Sequence, residues 1–271
     1  MDVRPHPLSH GFEWHDAVTA PRLLTPDQVE QYHRDGYVLV DDVIDTATID
    51  ELRAAIDEHE AAVEGFLRQL PDQTMFIATA DKITFTVHLV ARCEPARRFA
   101  HHPAIVDICH DLIGPDVRLY WDQAVYKKPE PAREFPWHQD NGYAFVEPQQ
   151  YLTCWVPLTD ATVDNGCPWV MPGLHRQGTL THVATPVGFQ CLHDSAGAVP
   201  IEAKAGSVVV FSSLTPHRTG PNVTDATRKT YIVQYAPSGA HVVDVDTGAR
   251  TPQADPARQF EVLRGGRRTD A

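Results

Sequence analysis

No run of 18 apolar residues occurs in this chain of 271 residues, so the sequence offers no transmembrane helix and no membrane partner. The opening MDVRPHPLSH is polar and lacks the apolar stretch of a secretory signal, which makes a cytoplasmic protein the expectation. Cysteine is scarce. Cys93, Cys109, Cys154, Cys167 and Cys191 are odd in number, widely spaced and without a Cys-x-x-Cys pair. They read as reduced core residues rather than a disulfide frame or a zinc site. Positive charge is also short: 23 Lys and Arg face 36 Asp and Glu, a formal net charge of −13. Neutralising a phosphate backbone needs a clustered cationic surface. The one basic cluster, RGGRR from Arg264 to Arg268, reads as solvated. A nucleic-acid partner is disfavoured and a small-molecule substrate is expected. His-Glu-x-x-His and Gly-x-Ser-x-Gly are missing too, and with them the signatures of common zinc proteases and serine hydrolases.

What is present is enough for a sizeable core, since 42% of the residues are apolar. Thr25-Pro26-Asp27-Gln28 reads as an N-cap followed by Pro at the first helical position, and Gly36 as the residue past that helix's end. A short strand, Tyr37 to Val40, follows. Thr46 to Leu70 reads as a helix whose apolar positions Ile49, Leu52, Ile56, Val63, Phe66, Leu67 and Leu70 recur at helical spacing. Thr48 and Glu51 resemble a capping box at its start. Ile83 to Val90 alternates like a strand, and Pro103 to Ile113 looks helical, stopping at Gly114. From Val117 to about Pro237 the chain turns to short strands punctuated by Gly, Pro and Asn. Helices first and strands after predict an α+β protein with an all-β catalytic core. Residues 1–240 read as a single domain, and 241–271 as a polar, loosely attached C-terminal tail.

The chemistry is concentrated in His138-Gln139-Asp140. His-x-Asp alone is weak, because about one match is expected by chance in a chain with 15 His, and this one has two. The other, His33-Arg34-Asp35, falls on a predicted helix, where side chains two apart diverge; it reads as a solvated helix face. His138 and Asp140 follow a strand-rich stretch and a Pro-rich loop, and in extended chain positions two apart share a face. Further on, a buried-looking VVVF run (Val208 to Phe211) leads to His217, and Gly220-Pro221-Asn222 turns the chain into a strand from Arg228 to Ala236. Hairpin pairing of those two strands is expected to bring His217 near Arg228. Singly, each of these residues has an ordinary reading as a surface His, a turn Asp or a solvent-facing Arg. Together and in this order they form the ligand set of a non-haem Fe(II) oxygenase, two imidazoles and a carboxylate on one side of the metal. The Arg adds a planar fork able to grip the far carboxylate of 2-oxoglutarate.

Several segments in sequence resemble the phytanoyl-CoA dioxygenase (PhyH) family of Fe(II)/2-oxoglutarate-dependent oxygenases. They are the opening Thr25 to Val38, His138-Gln139-Asp140, Tyr151 to Leu158, Asn165-Gly166-Cys167, Val170-Met171-Pro172-Gly173-Leu174-His175, and His217-Arg218-Thr219-Gly220 with Arg228. The likeness runs from about Leu24 to Pro237. It implies a double-stranded β-helix, a cupin-like jelly roll over about 117–237, flanked by N-terminal helices. It also implies His138, Asp140 and His217 as metal ligands and as the catalytic centre. Arg228 is implied as the partner of the distal carboxylate of 2-oxoglutarate, with Thr219 beside it, Trp155 as a pocket aromatic, and Gln123 and Lys82 as further polar contacts to the co-substrate. The family often has Ser where this chain has Leu174. Retention of the acid at Asp140 argues against a halogenase.

The implied reaction consumes 2-oxoglutarate and O2 on Fe(II), releases succinate and CO2, and hydroxylates an unactivated C–H bond of a small molecule. Trp137, Tyr143, Phe145, Phe76 and His88 are candidates for the substrate pocket. Two other readings use the same residues: a metal-dependent hydrolase or lyase, and a non-catalytic jelly-roll module that binds a small acid as a sensor.

Overall fold

Helix α1 (Pro26–Asp35) starts where the sequence places its cap. The Thr25 side chain accepts from the Gln28 amide while the Gln28 side chain accepts from the Thr25 amide, a reciprocal capping box. Gly36 ends the helix with φ 84°, a conformation that favours glycine. A Cβ there would also meet Thr215 Oγ1 at 2.5 Å. This computed structural model describes residues 3–16, 20–130 and 134–270.

After strand β1 (Tyr37–Val40) comes the long helix α2 (Thr46–Leu67), then a meander of β2 (Thr74–Met75), β3 (Ala78–Thr79) and β4 (Ile83–Val87). Helices α3 (Glu94–Ala100) and α4 (Pro103–Leu112) lead into β5 (Val117–Lys127). Strands β6 (Phe135–His138), β7 (Val146–Glu147), β8 (Leu152–Pro157), β9 (Pro168–Val170), β10 (Val183–Thr185) and β11 (Gly188–Gln190) follow. So do β12 (Val199–Pro200), β13 (Val208–Ser212), β14 (His217–Thr219), β15 (Arg228–Pro237), β16 (His241–Val243), β17 (Arg250–Pro252), β18 (Glu261–Arg264) and β19 (Arg267–Arg268).

Two antiparallel sheets face each other in a jelly roll. The large one runs β1-β13-β8-β15-β5-β4-β3-β2, with β18 and β19 attached through β5; the small one runs β12-β9-β14-β6. At the centre of the large sheet β8 and β13 are buried at every position, which is why they read as largely apolar rather than alternating. Leu152, Cys154, Val156, Tyr231, Val233 and Tyr235 pack with Ile49, Leu52 and Ile56 of α2 and Ile105 and Ile108 of α4. Their neighbours in sequence, Thr153, Trp155, Ile232 and Gln234, point the other way into a cavity shared with the small sheet.

Several expectations are corrected. The cap of α2 is Asp45, accepting from the Thr48 amide at 2.9 Å, one turn before the box read at Thr48 and Glu51. Helix α2 stops at Leu67, and Phe66 is exposed, because it lies off the stripe set by Ile49, Leu52 and Ile56. His33 is buried, 3.4 Å from Asp16, not on a solvated face. Residues from His241 on do not form a loosely attached tail. β16 pairs with β7, β18 pairs with β5, and Val262 and Leu263 are fully buried. The polar average of that segment concealed a short apolar strand. Among the described residues no helix is long and apolar enough to cross a membrane. All five cysteines are free thiols, four of them buried.

Candidate active site

Strand pairing assembles the two imidazoles. β6 and β14 are antiparallel neighbours, and His138 lies directly opposite His217 in the register; their ring centroids are 4.1 Å apart. Gln139 is extended and brings Asp140 round to the same face. His138 Nε2 and His217 Nε2 lie 4.0 and 3.7 Å from Asp140 Oδ1. One ligand atom from each of the three residues lies within 4.8 Å of the others.

The atoms turned away from this centre are already committed. His138 Nδ1 lies 2.8 Å from the Pro136 carbonyl and His217 Nδ1 3.0 Å from the Thr215 carbonyl. Carbonyls only accept, so both Nδ1 atoms carry the proton and both Nε2 lone pairs face inward. The other oxygen of Asp140 accepts from the Thr153 hydroxyl, which accepts in turn from Gln234 Nε2 at 3.1 Å. Gln139 is fully buried between His138 and Asp140 and acts as a staple. Its amide NH2 donates to the Gly178 and Leu214 carbonyls and its oxygen accepts from the Leu180 amide. Its backbone N–H donates to His182 Nε2 at 2.9 Å.

Burial, reinforced by the adjacent His217, pushes the His138 ring down to about 3. Burial takes His217 down to about 4, and it raises the Asp140 carboxyl, opposed by His138. In the unfolded chain both rings return to about 6.5 and bind protons more readily. Their contribution to stability is therefore complete above pH 6.5 and is lost as pH falls through their folded values. The slope is on the order of 1.4 kcal/mol per pH unit for each ring. Thermal denaturation of metal-free protein between pH 6.5 and 4.5 should show this fall, and a His217→Gln variant should show a shallower one.

Arg228 comes from the opposite wall. It begins β15 in the large sheet, whereas His217 begins β14 in the small one. The expected hairpin does not form; the two residues meet across the cavity instead, because β14 and β15 are each paired with other strands. Arg228 is 2% exposed. Its Nη1 donates to Thr230 Oγ1 at 2.6 Å, its Nε has no partner, and the guanidinium sits 5.3 Å from the Trp155 ring. No carboxylate pairs with it among the described residues, and burial lowers it to about 10. A buried cation without an anion is costly unless a ligand supplies one.

The cavity joins these groups. His138, Asp140, His217, Arg228, Thr219, Trp155, Gln123, Tyr143 and Phe76 all line it. Four expected contacts lie elsewhere and are corrected. Lys82 is half exposed and pairs with Glu130 at 3.2 Å. Trp137 alternates with His138 on β6, so it turns outward into its own cluster and donates to Ser195 Oγ. Phe145 stacks on His6 at 4.9 Å. His88 bonds Arg258 at 2.8 Å, with its ring edge-on to Trp121. Sequence reading missed Thr153, Gln234, Tyr120, Trp121, Phe85 and Phe135, all of which line the cavity. Thr153 was open to detection, two residues from Trp155 on one strand face. The others depend on which sheet face looks inward.

The donor set suits a divalent metal. It offers two neutral imidazole nitrogens and one carboxylate oxygen, and Asp140 has no Lys or Arg partner among the described residues. A cation there would supply the charge that the buried carboxylate lacks.

Known proteins resemble this chain in sequence and in fold. The family model described as "Phytanoyl-CoA dioxygenase (PhyH)" matches residues 32–230. The "Phytanoyl-CoA dioxygenase domain-containing protein 1" of Danio rerio is 26% identical over 258 residues, covering 77% of this chain and 89% of the relative. The "Ectoine dioxygenase" of Bordetella bronchiseptica is 27% identical over 234 residues, covering 78% of this chain and 75% of that protein. Among solved structures, EctD from S. alaskensis, crystallised with 2-oxoglutarate and 5-hydroxyectoine, superposes with a TM-score of 0.66 at 23% identity. That likeness covers 89% of this chain and 85% of EctD.

Proposed function

This chain belongs to the phytanoyl-CoA dioxygenase family of Fe(II)- and 2-oxoglutarate-dependent oxygenases, and on that premise we propose that it hydroxylates a C–H bond of a small molecule in the cytoplasm, releasing succinate and CO2. The observation that carries this reading is one cavity holding both the three-ligand cluster and an unpaired, buried Arg228.

His138, Asp140 and His217 would hold Fe(II), with both imidazoles locked in the ligating tautomer. Bound there, Fe(II) would supply the redox chemistry by which O2 oxidises 2-oxoglutarate and the substrate together. Arg228 pairs with the distal carboxylate of 2-oxoglutarate, and Thr219, two residues after His217 on the same strand face, adds a hydroxyl. Trp155 covers the guanidinium and keeps it dry, which strengthens the pair. Thr153 holds Asp140 so that one oxygen is kept for the metal. A hydrolase or lyase on the same ligands would leave Arg228 without a partner.

The test is an anaerobic titration of metal-free protein with Fe(II) and then 2-oxoglutarate, followed by visible absorption. A charge-transfer band that needs both additions is expected; a folded protein that gives none would sink the proposal. Thr153→Val should weaken Fe(II) binding by roughly 10–100-fold, the cost typical of losing a ligand's outer hydrogen bond. Competition with a chelator measures it.

A further inference from the structure

The same cavity has a volume of about 570 Å³, in the range that encloses a drug-sized molecule. Among the described residues its charged lining consists of Asp140 and Arg228, and the proposed function occupies both. Among the described residues no cation remains there for the phosphates of an acyl-CoA, and no second charged pair remains for a zwitterion.

Aromatic rings take their place. Phe189 on β11 meets Tyr143 at 5.1 Å, Tyr143 meets His138 at 5.4 Å, His138 meets Phe135 at 5.0 Å, and Phe135 meets Phe85 on β4 at 6.1 Å. This row runs from beside the mouth, across the metal ligands, to the large sheet. At the β2–β3 turn, Phe76 lines the cavity yet is 90% exposed, a large apolar side chain left in water at the lip. Met75 beside it also lines the cavity and is 40% exposed, so the lip is a joined apolar surface open to a ligand. Of the neutral polar side chains that line the cavity, Gln123 and Tyr120 make no side-chain hydrogen bond among the described residues.

We infer that the substrate is a neutral, ring-bearing, mainly apolar molecule. It stacks along the Tyr143–Phe135–Phe85 row and presents a hydroxyl or carbonyl group to Gln123 and Tyr120. The inference rests on the oxygenase reading for what happens to that molecule and for the occupation of Asp140 and Arg228. Ring faces prefer other rings at these separations, and the amide and the phenol would otherwise lose hydrogen bonds when the cavity closes over an apolar body.

The test is fluorescence titration of the full chain with N-phenyl-1-naphthylamine, a neutral two-ring dye. The dye is then displaced by a hydroxyflavone, a steroid ketone or decanoyl-CoA. Enhanced emission that the neutral polycycles reverse and decanoyl-CoA does not is expected. Phe85→Ala should weaken dye affinity about tenfold or more. Tyr143→Ala, at the exposed rim, should do the same in a variant with no core side chain removed, so a folding defect in the first would not hide the result. Unchanged affinity in both variants, or displacement by decanoyl-CoA alone, would overturn the inference. The titration is made with 2-oxoglutarate present, so that Arg228 is engaged, and without iron, so it can fail while the charge-transfer band appears, and the reverse.

Discussion

Replacing Asp140 with Ala is expected to abolish 2-oxoglutarate turnover while leaving the metal-free fold at least as stable as the parent. The loss should far exceed the roughly 10–100-fold that outer hydrogen bonds contribute. Asp140 is the single carboxylate of the cluster, and without it two neutral imidazoles must hold a divalent cation with one ligand fewer and no anionic charge to balance it. Stability should move the other way. Burial raises the Asp140 carboxyl, so the charged form is disfavoured in the empty cavity, and removing it relieves that cost. The cavity left by a short side chain already facing open space adds little. Succinate release and differential scanning on the same preparation read both signs. Turnover like that of the parent would remove Asp140 from the metal site.

Arg228→Met should raise the KM for 2-oxoglutarate by roughly 30- to 3,000-fold, the equivalent of about 2–5 kcal/mol for breaking a buried, hydrogen-bonded charge pair. Its ligand-free melting temperature should be equal to the parent's or higher, because a fully buried guanidinium with an unpartnered Nε is replaced by an apolar chain of similar length. What disappears is the stabilisation by added 2-oxoglutarate, since a ligand stabilises only in proportion to its binding. Arg228→Lys should fall between, as a point charge cannot make the two-pronged contact. If Arg228 only braced the sheet, the ligand-free protein would lose stability instead and the KM would stay unchanged.

The two predictions draw on different parts of the molecule. Asp140 is placed by Gln139 and Thr153, local and cross-strand partners. Arg228 is placed by the facing of two sheets. The His138-x-Asp140 spacing was legible in the sequence; the cross-strand hold of Thr153 on Asp140 and the facing of the two sheets were not.

The gathering of His138, Asp140 and His217 in one place with Arg228 was readable from order and residue type, because the proposed chemistry needs a fixed donor set and a fork. The first helix was readable from Thr25, Pro26, Gln28 and Gly36, whose effects are confined to a few neighbouring bonds. The succession of helices and then strands followed from periodicity, and the jelly roll from the family likeness. What the sequence could not decide were relations across space. The pairing of β14 with β6 rather than β15 depends on hydrogen bonds between segments about 80 residues apart. Trp137 and His138 are adjacent in the chain, yet one faces outward and the other the metal site, since a strand reverses its side chains at every residue. His88 and Lys82 were taken up by Arg258 and Glu130, and Val262 and Leu263 were buried by pairing with β5. Chemistry carried by a few side chains in fixed order survives in the one-dimensional string. The direction each side chain faces is settled only when the sheets close.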